Sequence, residues 1–400
     1  MKRIYVVGTA DTKGAELDYL ARRIGEAGAA VVIADVGTSA HRSTAGIDAT
    51  EIAAHGSAET RQALASGERG RAVAAMGEAF AAFIRTRDDI AGIVGIGGGG
   101  GTSIVTAGMR ELPIGIPKIM VSTLASGDVS AFVGVSDIVM MPSITDLAGL
   151  NRISRVVLGH AAQAIAAMSR DQASAGEAAD ARPAIGLTMF GVTTQCVTQI
   201  TDVLQADYDC LVFHATGTGG RTMEKLAGSF MLAGLIDITT TEVCDLLLGG
   251  VLPAGADRLD VVAQTRLPYV GSVGALDMVN FWAPETVPAR YAGRLFHKHN
   301  PNVTLMRTTP EECALIGAWI GDKLAGCDGP VRFLIPERGV SALDIEGAAF
   351  FDPIADAALF DAIERHGNFG GSRRLIRLPL HINDAAFAAA AVAAFRDIAN

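Results

Sequence analysis

The run of five glycines at residues 97–101 constrains this chain more than any other stretch. The apolar residues 90–96 before it predict a buried strand, and residues 104–111 after it predict a short helix. Glycine has no Cβ, so the backbone between them can turn sharply and lie against a ligand. The N–H groups and dipole of the helix then favour an anion, most often a phosphate. We interpret the run as a nucleotide-binding loop; the alternative is a tight, strained turn without a ligand.

The glycine run matches neither of the two common phosphate-binding motifs. It lacks the Gly-Lys-Ser/Thr ending of a P-loop. It also lacks the G-x-G-x-x-G order on the first strand of a βαβ unit, followed by an acidic residue about 20 positions later. Dinucleotide-dependent redox chemistry is therefore the weakest of the hypotheses.

Composition excludes several classes of protein. The formal net charge of −10 argues against a nucleic-acid-binding protein, which would present a basic face. The five cysteines are scattered without a Cys-x-x-Cys pair, so we expect neither a disulfide framework nor a zinc ribbon. No apolar run reaches membrane-spanning length, and the N-terminus enters a strand without a signal peptide. We therefore expect a reduced, cytoplasmic protein that binds neither a membrane nor a nucleic acid.

Alternating strands and helices predict an α/β protein with two domains, residues 1–180 and 181–400, joined by a polar linker at residues 171–182. Polar loops follow several strands of the first domain, and ligands bind at that edge of an open parallel sheet. Asp11 and Lys13 follow the first strand, and Thr38 follows the second. Asp11 is equally well explained as a helix N-cap. Lys13 could be an ordinary surface lysine, but its place beside a strand end favours contact with a phosphate. Arg69 begins a predicted helix, where a cation is unfavourable unless an anion lies nearby.

The second domain repeats the pattern of strand, glycine-rich turn and helix. His214 ends a predicted strand, and residues 217–220 follow as a second candidate anion loop. Residues 239–242 match a capping box, which explains Glu242. His297 and His299 share one face of a predicted strand and could bind a metal, although no third ligand is evident.

Several segments resemble one known family along essentially the whole chain. These are residues 8–13, 95–103, 112–118 and 122–127, and then residues 190–194, 214–220, 307–312 and 381–384. They resemble the family of the ATP-binding, inhibitory domain of the tomato mosaic virus resistance protein. The resemblance implies two Rossmann-like subdomains with mainly parallel sheets and a cleft between them, ATP with Mg²⁺ in the first subdomain, and a homodimer. By matching position, the implied ATP contacts are Asp11, Thr12, Lys13, Thr38, Arg69, Gly98, Gly99, Gly100 and Gly101.

Two functions remain open at this stage. The first is an ATP- and Mg²⁺-dependent enzyme that acts on a small metabolite in the cleft. The second is an ATP-responsive binding or regulatory protein that does not turn ATP over. For the enzyme, we expect acid–base or anion-binding groups from the polar strand ends of the second domain. The candidate catalytic residues are His214, His297, His299, Arg338 and His381.

Overall fold

Two parallel sheets, one in each half of the chain, organise the computed structural model. It describes residues 2–39, 45–171 and 182–399. The chain divides into two compact units, Met1–Ala179 and Asp180–Asn400. Apart from its end residues 171 and 182, the predicted linker lies outside the described part of the chain.

The first unit contains a five-stranded sheet in which every pairing is parallel. Its strands are β1 (Arg3–Gly8), β2 (Val31–Asp35), β3 (Ile90–Gly97), β4 (Lys118–Ser122) and β5 (Val139–Pro142). Its helices are α1 (Ala10–Glu26), α2 (Ala49–Ala54), α3 (Ala58–Ala65), α4 (Arg69–Arg85), α5 (Gly99–Glu111), α6 (Ser130–Val133) and α7 (Arg152–Asp171).

Alternating side chains of β1 pack into two cores, one on each face of the sheet. Tyr5 and Val7 pack with residues of α4 and α5 on one face. Ile4 and Val6 pack with residues of α1 and α7 on the other. A strand buried on both faces needs apolar residues at nearly every position, which accounts for the continuous apolar runs in the sequence.

The strand order of this sheet is β2-β1-β3-β4-β5. The chain moves from β1 to one side to form β2 and then crosses to the other side to form β3. The loops that leave β1 and β3 therefore diverge onto opposite faces and open a crevice at the carboxyl edge of the sheet. Ligands of open α/β sheets bind at such a switch point.

The second unit contains a six-stranded parallel sheet in the order β14-β13-β9-β8-β6-β7, with its switch point between β6 and β8. Its strands are β6 (Ala184–Met189), β7 (Asp209–His214), β8 (Gly234–Thr239), β9 (Tyr269–Gly274), β13 (Val331–Pro336) and β14 (Arg373–Leu378). Its helices are α8 (Thr194–Leu204), α9 (Thr218–Gly228), α10 (Glu242–Leu248), α11 (Asp260–Thr265), α12 (Pro310–Ala325), α13 (Pro353–His366) and α14 (Ala385–Ile398).

A separate antiparallel sheet, which the sequence analysis did not predict, also belongs to the second unit. It consists of β10 (Met278–Phe281), β11 (Phe296–Asn300) and β12 (Val303–Arg307), in the order β10-β12-β11. The predicted fold class, two Rossmann-like units with mainly parallel sheets, is confirmed. Within the described residues, no helix is long and apolar enough to cross a bilayer.

Three helix boundaries differ from the sequence-based expectation. The apolar stripe of Leu17, Leu20 and Ile24 predicts a helix from residue 16, whereas α1 begins at Ala10. Helix α5 begins at Gly99 rather than at residue 104. In both, the apolar stripe that periodicity detects begins only after the first polar or glycine-rich turn. Helix α9 ends at Gly228, whereas the sequence predicted an end near residue 233.

Candidate functional site

A cavity of about 580 Å³ lies at the carboxyl edge of the first sheet, beside the ends of β1 and β3. It brings together all nine residues that the family resemblance implies as ATP contacts. Three apolar side chains that the sequence analysis did not single out, Leu64, Val73 and Ile104, also line it. The cavity thus has a polar part and an apolar wall. The nine shared residues are Asp11, Thr12, Lys13, Thr38, Arg69, Gly98, Gly99, Gly100 and Gly101.

Three helices, α1, α4 and α5, begin at this cavity, and their first turns supply much of its lining. No described side chain caps the N-terminal N–H groups of α4 or α5, whereas in α1 the N–H of Ala10 donates to Asp35 Oδ1 at 2.9 Å. By contrast, Asp48 and Ser57 cap α2 and α3 in the same unit. The two uncapped N-termini of α4 and α5 concentrate N–H donors and positive dipole ends around one space, which favours an anion.

Packing explains the first glycine of the run but not the other four. A Cβ on Gly97 would lie 2.8 Å from backbone atoms of Gly101 and Thr102, so only glycine fits there. At Gly98, Gly99, Gly100 and Gly101 the nearest atoms would lie 3.4–3.7 Å away, which is ordinary contact. None of these four has a positive φ. Neither packing nor backbone conformation therefore requires glycine at residues 98–101.

Charged side chains at the end of β1 complete the polar part of the cavity. The buried Oδ1 of Asp11 has no hydrogen-bond partner among the described residues. Lys13 interrupts the helical backbone of α1 (φ −132°) and donates from Nζ to the carbonyl of Leu147 at 2.6 Å. An ammonium group has three protons, so donors remain for a ligand. With Arg69 at the first turn of α4, cations outnumber the carboxylate in this lining.

The residues present fit a magnesium ion only if a phosphate shares it. Mg²⁺ is usually held by one or two carboxylates together with water and substrate phosphates. Asp11 supplies one carboxylate, with an oxygen that accepts no hydrogen bond from the described residues. Across residues 2–39, 45–171 and 182–399, no group of three or more His, Cys, Asp or Glu residues could hold a metal by itself. The possible metal site at His297 and His299 therefore gains no third ligand from the described structure.

The second glycine loop differs from the first because the fold itself requires its glycines. A Cβ on Gly219 or Gly220 would lie within 2 Å of the His214 carbonyl or the Glu242 carboxylate. Gly217 has a positive φ of 75° and donates its N–H to Glu242 Oε2 at 2.7 Å. A carboxylate of the protein thus takes the place at this loop that a bound anion would take.

The capping-box explanation of Glu242 is wrong. Helix α10 begins at Glu242, and its N-cap residue Thr241 makes no side-chain cap. The Glu242 carboxylate is buried and faces Gly217 and Arg258 instead.

The five candidate catalytic residues do not converge on one place. His214 and His299 line a small cavity of the second unit, which His297, Arg338 and His381 do not line. The ring of His297 packs against Phe350, and Arg338 is exposed. His381 is buried, with Nδ1 accepting from the Asn383 N–H and Nε2 facing the Ser341 carbonyl. Because both of its ring nitrogens are engaged, His381 has no free position for acid–base work.

An arginine surrounded by three carboxylates lies in the interior of the second unit. The guanidinium of Arg258 donates to Glu242, Glu224 and Asp237 at 2.6–2.8 Å, and the residue is 1% exposed. Tyr269 also donates to Asp237. These residues are far apart in sequence, so no motif or periodicity predicts the cluster. It ties α9, β8 and α10 to the loop before α11.

Four carboxyl groups of this unit hold protons more tightly than free carboxyl groups do. Burial raises the pKa of Glu224 and of Asp245 to about 7, against the opposing effect of Arg258 on Glu224 and of backbone N–H groups on Asp245. Burial and the neighbouring Asp344 also raise the pKa of Asp277 and of Asp356, although Arg307 lies beside both.

We expect the second unit to lose stability as the pH rises from about 5 to about 7. Unfolded carboxyl groups have pKa values near 4, so between these limits the folded state binds more protons than the unfolded state. The free energy of unfolding then falls by about 1.4 kcal/mol per pH unit for each proton involved. Urea unfolding followed by tryptophan fluorescence reports this unit, because both tryptophans, Trp282 and Trp319, lie in it. Asp356→Asn should flatten the slope; stability that rises with pH would contradict the expectation.

The fold and the cavity define an α/β protein with two doubly wound units and a cavity of about 580 Å³ at the switch point of the first. Profiles of the uncharacterised protein family UPF0261 match both units. Residues 2–174 match its N-terminal domain, and residues 182–399 match its C-terminal domain. The chain belongs to this family.

Several relatives match nearly the whole chain. A UPF0261 protein of Rhizobium meliloti is 68% identical over 100% of both chains, and one of Clostridium tetani is 42% identical over 97% of both. The ToMV resistance protein Tm-1 of Solanum lycopersicum is 38% identical over 99% of this chain and 56% of its own length. The resemblance inferred from the motifs is therefore confirmed.

Proposed function

We propose that the first unit binds ATP with Mg²⁺ in the cavity at the switch point of its sheet. The observation that carries the proposal is the set of four glycines, Gly98 to Gly101, which neither packing nor backbone conformation requires. They form the uncapped start of α5 and line the same cavity as Lys13 and Arg69. A phosphate chain matches this arrangement of N–H groups and cations. The apolar wall of Leu64, Val73 and Ile104 suits a base.

ATP serves in this proposal as the co-substrate of a reaction on a small metabolite. The alternative is an ATP-responsive binding or regulatory module without turnover. The scattered positions of the five candidate catalytic residues favour that alternative. Measuring the amount of bound ATP over hours, in the presence of panels of metabolites, distinguishes the enzyme from the binding module. A phosphorylated or adenylated product supports the enzyme, and intact ATP supports the binding module.

Asp11→Asn should remove the magnesium dependence of nucleotide binding. The unpartnered Oδ1 of Asp11 is the carboxylate oxygen in the cavity that can share a cation with a phosphate. We expect the variant to bind ATP with the same affinity with or without Mg²⁺, at least tenfold more weakly than the unaltered protein does with Mg²⁺. Equilibrium dialysis with labelled ATP measures this. Asp18→Asn, an exposed position on the same helix, is the matched control. Unchanged magnesium dependence in Asp11→Asn would contradict the assignment.

A further inference from the structure

A smaller cavity of about 230 Å³ lies in the second unit, beside the ends of β6 and β7 and against the antiparallel sheet. Its floor is buried, since Asn280, Phe281 and Leu305 are 1–2% exposed. Its mouth carries the exposed side chains of His214 and Trp282. A dry apolar cavity of about 150 Å³ holds benzene, so this cavity has room for a substituted ring.

One polar atom on the floor lacks a partner. The Oδ1 of Asn280 is buried and accepts no hydrogen bond from any described residue. The backbone N–H and side-chain Nδ2 of Asn280 both donate to Asp245 Oδ1, at 2.8 and 3.2 Å. Rotating the amide would set its oxygen against that carboxylate oxygen, so Asp245 holds Oδ1 on the opposite side. Buried acceptors nearly always have a donor, and no described residue supplies one to Asn280 Oδ1.

The rest of the lining indicates what kind of molecule fits the cavity. Phe190, Phe281 and Trp282 supply aromatic surface, and the ring of His214 meets Phe190 edge-on with centroids 5.3 Å apart. Aliphatic side chains such as Leu252 and Leu305 complete the lining. Aromatic walls with one convergent polar group are typical of sites for small planar molecules.

We propose that this cavity binds a small aromatic molecule of the phenol class, whose hydroxyl group donates to Asn280 Oδ1. The ring lies among the aromatic side chains of the lining. An acidic substituent on the ring would face the imidazoles of His214 and His299 at the mouth. This site belongs to the second unit and goes beyond nucleotide binding by the first, and the proposal stands whether or not ATP binds.

The test compares p-cresol with p-xylene, which has a methyl group in place of the hydroxyl. A Trp319→Phe background leaves Trp282 as the only tryptophan, so its fluorescence reports binding at the mouth of the cavity. We expect p-cresol to bind saturably and at least tenfold more tightly than p-xylene, although p-xylene is the more apolar molecule. Asn280→Leu should reverse this order, because it replaces the unpartnered acceptor with an apolar group.

A cavity-filling variant keeps the test decisive if Asn280→Leu fails to fold. Leu252→Phe leaves Asn280 and Asp245 intact and should weaken binding of p-cresol at least tenfold. Tighter binding of p-xylene than of p-cresol in the Trp319→Phe protein, or binding of neither, would overturn the proposal. Binding of p-cresol that Leu252→Phe leaves unchanged would overturn it as well.

Discussion

Gly100→Ala is expected to stabilise the protein slightly while weakening ATP binding at least tenfold. Alanine in a helix is more stable than glycine by about 0.5–1 kcal/mol, and the new Cβ would lie 3.4 Å from Val73, an ordinary contact. The same Cβ adds bulk to the lining of the cavity where the phosphate chain needs the bare backbone. Urea unfolding followed by circular dichroism gives the stability, and calorimetry gives the affinity.

Two matched glycine substitutions complete this experiment. Gly25→Ala lies in α1 with no atom within 4 Å of the added Cβ, so it should stabilise the protein and leave ATP binding unchanged. Gly97→Ala forces a Cβ to 2.8 Å from backbone atoms and should destabilise the protein. ATP affinity that is the same in Gly100→Ala and Gly25→Ala would show that the glycines at residues 98–101 do not serve the nucleotide.

Arg258→Met is expected to destabilise the second unit by about 3–5 kcal/mol, because it leaves three buried carboxylates without their cation. Protonation of those carboxylates relieves part of their repulsion, so the loss should be smaller near pH 5.5 than near pH 8. Urea unfolding read from tryptophan fluorescence measures the loss in this unit alone.

Arg266→Met provides the control for the arginine substitution. Arg266 pairs with Asp328, and both side chains are more than half exposed. Exposed ion pairs contribute about 0–1 kcal/mol, so this variant should unfold nearly as the unaltered protein does. Equal losses in the two variants would mean that the buried cluster contributes no more than a surface pair.

The sequence predicted the parallel strands well because burial on both faces leaves a continuous apolar signature. Residues 90–96, for example, form the predicted strand β3. Helix starts were predicted less well, because the turns at Ala10 and Gly99 contain no apolar stripe. Strands β10, β11 and β12 were missed as a sheet, since short antiparallel strands with mixed exposure resemble loops in sequence.

The two glycine loops show what sequence cannot distinguish. Both follow a parallel strand and precede a helix, so both predicted an anion site. Only the structure reveals that Glu242 already lies at the second loop, whereas Gly98 to Gly101 line a cavity. The partners of Arg258 and the unpartnered Oδ1 of Asn280 could not be predicted from the sequence either, because both depend on which residues the fold brings together.

The most direct test of the nucleotide proposal is a calorimetric titration of the intact protein with ATP and Mg²⁺, beside a Lys13→Met variant. Methionine keeps much of the length of the lysine side chain but removes its charge, which is one of the two cationic groups that the described residues place in the lining of the cavity. We predict saturable binding at one site per chain, weakened at least tenfold in the variant. If the titration gives no heat and dialysis confirms that ATP does not bind, the proposal that this cavity holds ATP is contradicted. Equal ATP affinity in the two proteins would contradict it as well.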